Sequence, residues 1–406
     1  LQVGTGIVMA MHYVPSPGEA HASVSYFIGE VLGGRFVRSV HYWSANALII
    51  VLVLHLLRVY LHAAYKPPRE LTWMAGLLLF TLVLGFAFTG DLLRWDQKGY
   101  WMTVIGVHIA GSTPLIGPWL ATLLMGGDHI GALTLPRFYA LHILVLPGVA
   151  CALLGLHLYL VWRKGPAPPG RAVGESGTPA STFHPHQLLR DSTMMIAAFA
   201  IIAVLALWRT APLEVIADPT STAYTPRPPW FLLSIFFLLQ YAHGFWQPFV
   251  SVILPGLFIG FLMLLPFLDR NPERRLRKRP VAAIAAPVIL TGIVGLTYLG
   301  SRVEYPDAVD AAAPPVSAQA AEAARALMKA NGCVFCHTMN GGPSPVGPDL
   351  QAVGLRRSLA YIKGHIRNAP KDTPGTKMPL FSGLTDAQID TIANYLLSLR
   401  TQAGKP

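Results

Sequence analysis

Four histidines constrain this chain more than any other feature, because they fall in pairs within two long apolar segments. One pair is His41 and His55, and the other is His142 and His157. On a helix, fourteen residues rise about 21 Å and return to within about 40° of the starting face, whereas fifteen rise about 22 Å and end about 60° away. Each helix therefore presents one imidazole near each surface of a hydrocarbon core about 30 Å thick. Two such helices side by side predict two haem sites stacked across a membrane, and hence transmembrane electron transfer.

The composition supports a membrane setting. Hydrophobic residues make up 53% of the chain and charged residues only 13%, which is typical of a membrane protein. The net charge of +11 does not indicate nucleic-acid binding, because the basic residues cluster in loops that alternate with less basic ones. The basic loops at 63–72, 163–191 and 268–280 are predicted to face the cytoplasmic or n side. The loops at 14–40, 93–137 and 209–248 are predicted to face the opposite, p side.

The apolar stretches predict an all-α membrane protein with about seven transmembrane helices. We expect the end of one helix at 1–13, which is too short to span a bilayer, and six further spans at 43–62, 73–92, 138–162, 192–208, 249–267 and 281–299. Stretches rich in proline, glycine and alanine divide the chain. The predicted parts are a di-haem four-helix bundle with an incomplete first helix at 1–165, a linker at 166–191, a three-helix part at 192–305, an Ala/Pro linker at 306–319 and a small soluble all-α domain at 320–406.

Helix direction decides which histidines share a haem. The helices that carry His41 and His142 both run from the p side to the n side. We therefore expect these two to bind a p-side b-type haem and His55 and His157 to bind an n-side one. A lone intramembrane histidine is ordinarily a hydrogen-bonded structural residue, but ionisable groups inside a membrane are costly and two matched pairs are rarely accidental.

Two glycines on the next helix support this interpretation. Gly76 and Gly90 are also fourteen residues apart, and a position without a side chain would let a porphyrin approach the backbone at each haem level. Glycine is also common in membrane helices for packing alone, so the glycines only corroborate the histidine pattern.

The last domain contains the Cys-x-x-Cys-His attachment pattern of a c-type haem at 333–337. Cys333 and Cys336 are predicted to bond the haem covalently, with His337 as the proximal iron ligand. Only two methionines follow, and Met339 is too close to His337 to reach the opposite haem face. Met378 is therefore the predicted sixth ligand, and His/Met ligation raises the reduction potential, as suits a terminal electron acceptor.

Several further segments carry a family resemblance. They are Thr5-Gly6 with Ala10-Met11-His12-Tyr13, Arg38-Ser39-Val40-His41, Pro68-Arg69-Glu70-Leu71-Thr72-Trp73, Trp95-Asp96-Gln97 with Gly99-Tyr100-Trp101, and Arg137-Phe138-Tyr139-Ala140-Leu141-His142. Over nearly all of residues 1–300 the chain resembles the cytochrome b subunit of cytochrome bc complexes, and most of all the cytochrome b6 type. The three-helix part resembles the subunit IV of that branch, here fused, and the tail resembles a class I cytochrome c. The resemblance adds Gly6 to the expected haem-binding residues.

The resemblance implies a quinol-oxidising site on the p side, built from the loops 93–137 and 209–248. The family signature there is Pro-Glu-Trp-Tyr, whereas this chain has Pro228-Pro229-Trp230-Phe231. The family glutamate accepts a quinol proton, and Pro229 cannot take that role. We expect Asp96, Glu214 or Asp218 in the same loops, or water, to substitute. Departures of this kind are associated with menaquinol in the family, which favours menaquinol as the substrate.

On the n side, Phe183-His184-Pro185 with Arg190 and Asp191 resembles the quinone-reducing site of the mitochondrial branch. The resemblance implies that Asp191 binds a quinone oxygen and helps proton uptake, with Arg190 beside it. Residue type alone equally supports a capping role for Asp191 before the helix at 192–208. A second family histidine, expected five residues after His157, is Trp162 here. Some branches also attach an additional n-side c-type haem through a cysteine that lies before the point where this sequence begins. Whether that haem is present stays open at this point.

Together these features imply a Q-cycle subunit of a bacterial inner membrane, with the cytochrome c domain on the periplasmic side. The chain has no paired Cys and His ligands for an iron–sulfur cluster, so a separate Rieske-type partner is implied. The fused cytochrome would pass electrons to a soluble cytochrome c, a terminal oxidase or a photosynthetic acceptor, and the family implies a homodimer. The alternatives are a di-haem membrane anchor of a dehydrogenase or reductase without bifurcation, and a haem-based sensor or structural subunit. Sensitivity to p-side quinol inhibitors would separate the first interpretation from both.

Overall fold

The computed structural model describes residues 1–127, 129–165, 167, 183–219, 227–242, 244–303, 316–339, 347–348, 350–351, 353–355, 357–372, 376 and 378–399. These residues form two compact units, one within 1–301 and the other within 302–406. They are nearly all helical, which confirms the predicted fold class. Most of the two predicted linkers, at 168–182 and 306–315, lies outside the described residues, so the domain boundaries there stay predictions.

The first unit contains the membrane helices. Its described helices are α1 (Gln2–Ala10), α2 (Ala20–Gly29), α3 (Gly34–Leu61), α4 (Glu70–Leu92), α5 (Gln97–Gly111), α6 (Gly117–Met125), α7 (Thr134–Lys164), α8 (His184–Trp208), α9 (Trp230–Leu239), α10 (Trp246–Leu268) and α11 (Pro280–Ser301). In the described part of the chain six helices, α3, α4, α7, α8, α10 and α11, are long and apolar enough to cross a membrane. With α1, which packs on α3, they correspond to the seven predicted spans.

Two helices begin earlier than hydropathy predicts. Helix α3 begins at Gly34 rather than at 43. Helix α8 reaches back to His184, whose own backbone is extended, and is regular from Leu188 rather than from 192. The additional turns of α3 carry polar residues whose partners lie far away in sequence. Arg38 donates to the carbonyl oxygens of Ala211 and Pro212, at 2.8 Å and 2.6 Å. Hydropathy cannot register that such residues are satisfied by tertiary contacts, so it places the start of the helix too late.

Helices α7 and α10 contain the same widened turn. In α7 the Leu146 N–H donates to the carbonyl of Leu141, five residues back, and in α10 the Leu254 N–H donates to that of Phe249. Each turn runs directly into a Leu-Pro-Gly sequence, at 146–148 and 254–256. Proline has no N–H to donate and its ring crowds the preceding turn, so the helix takes in one additional residue there.

The widened turn of α7 corrects the geometry expected for the second histidine pair. A regular helix would leave His157 about 60° away from the face of His142. The turn at Leu141–Val145 absorbs about one residue, so the fifteen-residue spacing behaves as the fourteen-residue spacing of His41 and His55 does. Both helices therefore present their two imidazoles in the same relative phase.

At the end of the helices predicted to face the p side, which is called the p side below, the segment before α5 pairs with the segment after α8. The Ala217 N–H donates to the Trp95 carbonyl and the Gln97 N–H to the Val215 carbonyl, both at 3.0 Å. This antiparallel pairing, together with the Arg38 hydrogen bonds, fixes the start of the 209–248 loop against the four-helix part.

At the opposite end, which is predicted to face the n side and is called the n side below, a polar cluster joins the loop after α3 to the loop before α11. Asp269 accepts from Tyr65 Oη at 2.5 Å and pairs with Lys66 Nζ at 2.9 Å and with Arg279 at 3.2 Å. Burial acts to raise the pKa of Asp269, but these hydrogen bonds and charges outweigh it and hold the pKa below its ordinary value. Burial also lowers the pKa of Lys66, which is 1% exposed. The cluster thus pairs the nearly fully buried Lys66 ammonium with the charged Asp269 carboxylate, and this pairing fixes the two n-side loops to each other.

The second unit is a small helical domain. Its described helices are α12 (Ala318–Ala330), α13 (Cys333–Cys336), α14 (Leu359–Arg367), α15 (Ala369–Asp372) and α16 (Asp386–Ser398). These helices confirm the prediction that this domain is all-α. Helix α16 packs on α12 and α14 through a core that includes Met328, Ile362 and Leu396. Thr385 and Gln388 form a reciprocal capping box at the start of α16.

Candidate haem and quinone sites

The p-side histidine pair has the spacing that one iron atom requires. The ring centres of His41 and His142 are 6.5 Å apart. A metal–imidazole nitrogen bond is about 2.0 Å long and the ring centre lies about 1.2 Å beyond the nitrogen, so two imidazoles on one metal have centres about 6.4 Å apart. The pair on α3 and α7 therefore fits a bis-histidine haem without rearrangement of either helix.

Two threonines fix the tautomer of this pair. Thr5 Oγ1 donates to the Leu1 carbonyl at 2.9 Å and lies 2.8 Å from His41 Nδ1. Thr89 Oγ1 donates to the Gly85 carbonyl at 2.9 Å and lies 3.0 Å from His142 Nδ1. Because each hydroxyl proton is already committed, the hydroxyl oxygen accepts from the imidazole Nδ1–H. The proton is thereby held on Nδ1, which leaves the Nε2 lone pair for a metal.

The three predicted glycines lie directly against histidine rings. A Cβ atom at Gly6 would stand 3.5 Å from His41 Cε1, and one at Gly76 would stand 3.2 Å from His157 Cε1. A Cβ at Gly90 would come within 2.8 Å of His142 Cε1, which is closer than real contacts allow. The glycines therefore let the ligand imidazoles, and not only a porphyrin, approach the backbone of α1 and α4.

The n-side pair lines one cavity. His55 on α3 and His157 on α7 both face the same space between the helices. Its rim contains Arg69 and Lys164, and Arg69 donates to the carbonyl oxygens of Lys164 and Gly165 at 3.0 Å and 3.1 Å. The cavity thus joins an apolar interior to a cationic n-side rim, which suits a haem with its carboxylate groups toward the aqueous side.

The predicted n-side quinone residues lie elsewhere. Arg190 and Asp191 are exposed on α8 and are not among the residues that line the cavity of His55 and His157. Asp191 is not a helix cap, because α8 begins at His184; its carboxylate accepts from Gln187 Nε2 at 2.8 Å, one turn back. The structure therefore does not bring the family-like n-side motif together with the histidine pair.

On the p side, Asp96 is fully buried and already engaged. It is 0% exposed, caps α5 by accepting from the Gly99 N–H at 2.8 Å, and accepts from the Glu214 N–H at 3.1 Å. It also pairs with Arg94 at 3.3 Å. Burial acts to lower the pKa of Arg94, but the surrounding carboxylates, Asp91, Asp96 and Glu214, outweigh it and raise the pKa, so this guanidinium stays charged.

The proline-rich signature lies against the His41 helix. Pro228 is buried, Pro229 is half-buried, and Trp230 begins α9 with its Nε1 donating to Asn46 Oδ1 on α3 at 2.8 Å. Trp230 and Asp96 thus have different partners: Trp230 is bonded to Asn46 within α3, and Asp96 to the backbone at the start of α5 and at Glu214.

The c-type site is assembled in the second unit. Gly332, with φ +76°, turns the chain into α13, whose single turn carries Cys333 and Cys336. Burial raises the pKa of the Cys333 thiol. His337 Nδ1 lies 2.7 Å from the Pro348 carbonyl, which holds the proton on Nδ1 and leaves Nε2 for iron.

One cavity is lined by the two cysteines, His337 and Met378. Met339 instead packs against the hydrophobic core, so it is not positioned to act as the sixth ligand. The donor set and the space fit a covalently attached haem with His/Met ligation. His365 on α14 also lines the cavity, stacked on Tyr361 with ring centres 5.3 Å apart.

Sequence reasoning missed the hydrogen-bond partners of the haem ligands and the cations at the n-side rim. A signal for the first was available, because Thr-Gly occurs both at 5–6 and at 89–90. The cations at the rim carry no such signal, because Arg69 and Lys164 lie in basic loops whose charge the positive-inside rule already explains.

Comparison with known proteins agrees with this geometry. Residues 46–217 match the family described as Cytochrome b(N-terminal)/b6/petB, 216–312 match Cytochrome b(C-terminal)/b6/petD, and 321–400 match Cytochrome c. The menaquinol:cytochrome c reductase cytochrome b subunit of Geobacillus thermodenitrificans is 42% identical over 170 residues, which are 42% of this chain and 76% of that protein. The cytochrome bc complex cytochrome b subunit of Chlorobaculum thiosulfatiphilum is 32% identical over 300 residues, covering 73% of this chain and 70% of that protein.

A solved structure, titled Hyperthermophilic respiratory Complex III, superposes with a TM-score of 0.67 at 28% identity, covering 75% of this chain and 81% of that one. Its fold and the sequence matches agree with the architecture described above, in which membrane helices carry two histidine pairs. The chain is an integral membrane haem protein that belongs to the cytochrome b family of cytochrome bc complexes, with a cytochrome c domain following its cytochrome b part.

Proposed function

We propose that this chain is the quinol-oxidising subunit of a quinol:cytochrome c reductase that works by a Q-cycle. The observation that carries the proposal is the arrangement of two histidine pairs on the same two helices, α3 and α7. One pair has the 6.5 Å ring separation of a bis-histidine iron site, and the other lines the n-side cavity. The bound haems would supply a one-electron path across the membrane and a third one-electron site in the tail.

In this proposal each quinol is oxidised on the p side and its two electrons separate. One goes to a Rieske-type partner and then to the cytochrome c domain, and the other crosses to a quinone on the n side. The crossing opposes the membrane potential at about 2.3 kcal/mol per charge per 100 mV. The n-side haem must therefore have the higher reduction potential.

Menaquinol is the proposed substrate. Relatives from Geobacillus thermodenitrificans and Bacillus subtilis, 42% and 44% identical over 170 residues, are named menaquinol:cytochrome c reductase cytochrome b subunits. The replacement of the family glutamate by Pro229 points the same way. We further propose a bacterial cytoplasmic membrane location, a homodimeric complex, and a p-side cytochrome c domain that delivers electrons to a soluble cytochrome or an oxidase.

We propose Glu214 as the group that takes the quinol proton in place of the missing glutamate. Asp96 is fully buried and bonded on both oxygens, and Asp218 is exposed to solvent. Glu214 is half-buried, and its charge is one of those that act on Arg94, so it is neither buried away from the loops nor fully exposed to water. Glu214→Gln should lower the kcat of quinol oxidation about 100-fold or more, while the matched variant Asp218→Asn should stay near the wild-type rate. Equal rates in both variants would exclude this assignment.

The bifurcation itself can be tested on the purified complex with its Rieske partner. With a menaquinol analogue present and the n-side site inhibited, addition of ferricyanide should increase b-haem reduction, because withdrawal of one electron forces the other onto the p-side pair. Inhibitors of the p-side site should abolish the effect. A di-haem anchor without bifurcation would show b-haem reduction that the oxidant leaves unchanged or lowers.

A further inference from the structure

The two histidine pairs differ in their hydrogen bonding although their helices repeat. Helix α4 presents Gly90 to His142 on the p side and Gly76 to His157 on the n side, fourteen residues apart. The residue before Gly90 is Thr89, whose hydroxyl accepts from His142. The residue before Gly76 is Ala75, which has no hydroxyl. The same helical position is therefore polar at one haem level and apolar at the other.

The n-side ligand shows the consequence. His157 Nδ1 is buried and has no hydrogen-bond partner among the described residues. The backbone carbonyl of Thr72 approaches it without meeting the geometry of a hydrogen bond, as that of Phe86 approaches His142. This carbonyl contribution is common to both levels. What distinguishes the p-side pair is a threonine hydroxyl on each of its two histidines, Thr5 on α1 and Thr89 on α4.

A hydrogen bond at Nδ1–H makes the imidazole a stronger electron donor to the metal through Nε2. A stronger donor stabilises the oxidised iron more than the reduced iron, so the reduction potential falls. An imidazole without that acceptor is the weaker donor and leaves the potential higher. The hydroxyl pattern thus favours a low potential on the p side and a higher one on the n side.

We propose that Thr5 and Thr89 are positioning residues that set the potential of the p-side haem below that of the n-side haem. Alanine at position 75 is the complementary half of the device, because it withholds the same hydrogen bond from His157. The inference rests on the proposed two-haem function and explains how this chain orders its two sites for electron flow against the membrane potential.

The test is a potentiometric measurement of both b haems in the purified complex. Thr89→Val keeps the shape of the side chain and removes the acceptor; it should raise the p-side midpoint and leave the n-side midpoint unchanged. The expected change is up to tenfold in the electron equilibrium constant between the haems, equivalent to about 59 mV for one electron. Thr5→Val should act in the same direction. Thr89→Ser keeps a hydroxyl and should behave as the wild type.

Ala75→Ser is the gain-of-function counterpart on the same helix. It should lower the n-side midpoint and leave the p-side midpoint unchanged. If Thr89→Val loses one haem, Thr5→Val and Ala75→Ser decide the question, because Thr5 lies on a different helix and Ala75 lies at the other haem level. If these variants keep two b haems and neither midpoint moves, the inference is overturned while the proposed function stands. A wild-type complex with a single b haem would instead overturn the proposed function.

Discussion

His41→Leu and His142→Leu are expected to remove the same b haem, and His55→Leu and His157→Leu the other. The reason is that each haem lies between α3 and α7, with its two ligands on different helices. The ring separation of 6.5 Å between His41 and His142 and the shared cavity of His55 and His157 carry this pairing. Each single variant should lower the b-to-c haem ratio from two to one, because a ligand loss on either helix empties that level.

The identity of the surviving haem is the decisive readout. Within each pair of variants the remaining midpoint potential should be the same, and between pairs it should differ. His62→Leu is the matched control, since His62 ends α3 with its Nδ1 on the Arg58 carbonyl at 3.0 Å and should leave both haems in place. If His41→Leu and His55→Leu left the same haem, the ligands would pair along one helix and the account would fail.

The second large effect concerns the widened turn in α7. Deletion of Val145 together with Pro147→Ala should convert the region to a regular helix with fourteen residues between the ligands. That spacing already positions His41 and His55 on α3, so both b haems should be retained. The result would show that the turn exists to accommodate one extra residue.

A deletion of equal length elsewhere in α7 gives the contrast. Removal of Leu153, with Pro147 and its turn left intact, would rotate His157 by about 100° relative to His142. At least one b haem should then be lost, as measured by the b-to-c ratio of the purified complex. Retention of both haems in both deletions, or loss in both, would contradict the role assigned to the turn.

The haem ligands could be predicted from sequence because haem chemistry demands particular side chains at helical spacings. The membrane helices could be predicted from length and hydropathy because the bilayer thickness sets the length of an apolar span. The early start of α3 could not be predicted, since Arg38 becomes acceptable in an apolar helix only after it meets the Ala211 and Pro212 carbonyls. Leu-Pro-Gly inside an apolar run is compatible with both a regular helix with a kink and a widened turn, so the sequence alone does not predict the widened turns.

The quinone sites were the least predictable from sequence. A carboxylate in a p-side loop is a candidate proton acceptor on paper, yet Asp96 turns out to cap α5 and to hold the Glu214 N–H. Asp191 lies exposed on α8 because the helix begins earlier than hydropathy indicated. Such outcomes depend on where loops separated by more than a hundred residues meet, and no local pattern contains that information. The ligand role of Met378 stays a prediction, supported by its position in the lining of the cytochrome c cavity.

The central claim is most directly tested by the haem stoichiometry and midpoint potentials of the wild-type complex, from alkaline pyridine spectra and a potentiometric series. We expect two b haems for each c haem, two separated b midpoints of which the n-side one is higher, and a high-potential c haem. A single b haem, or a c haem of very low potential, would contradict it.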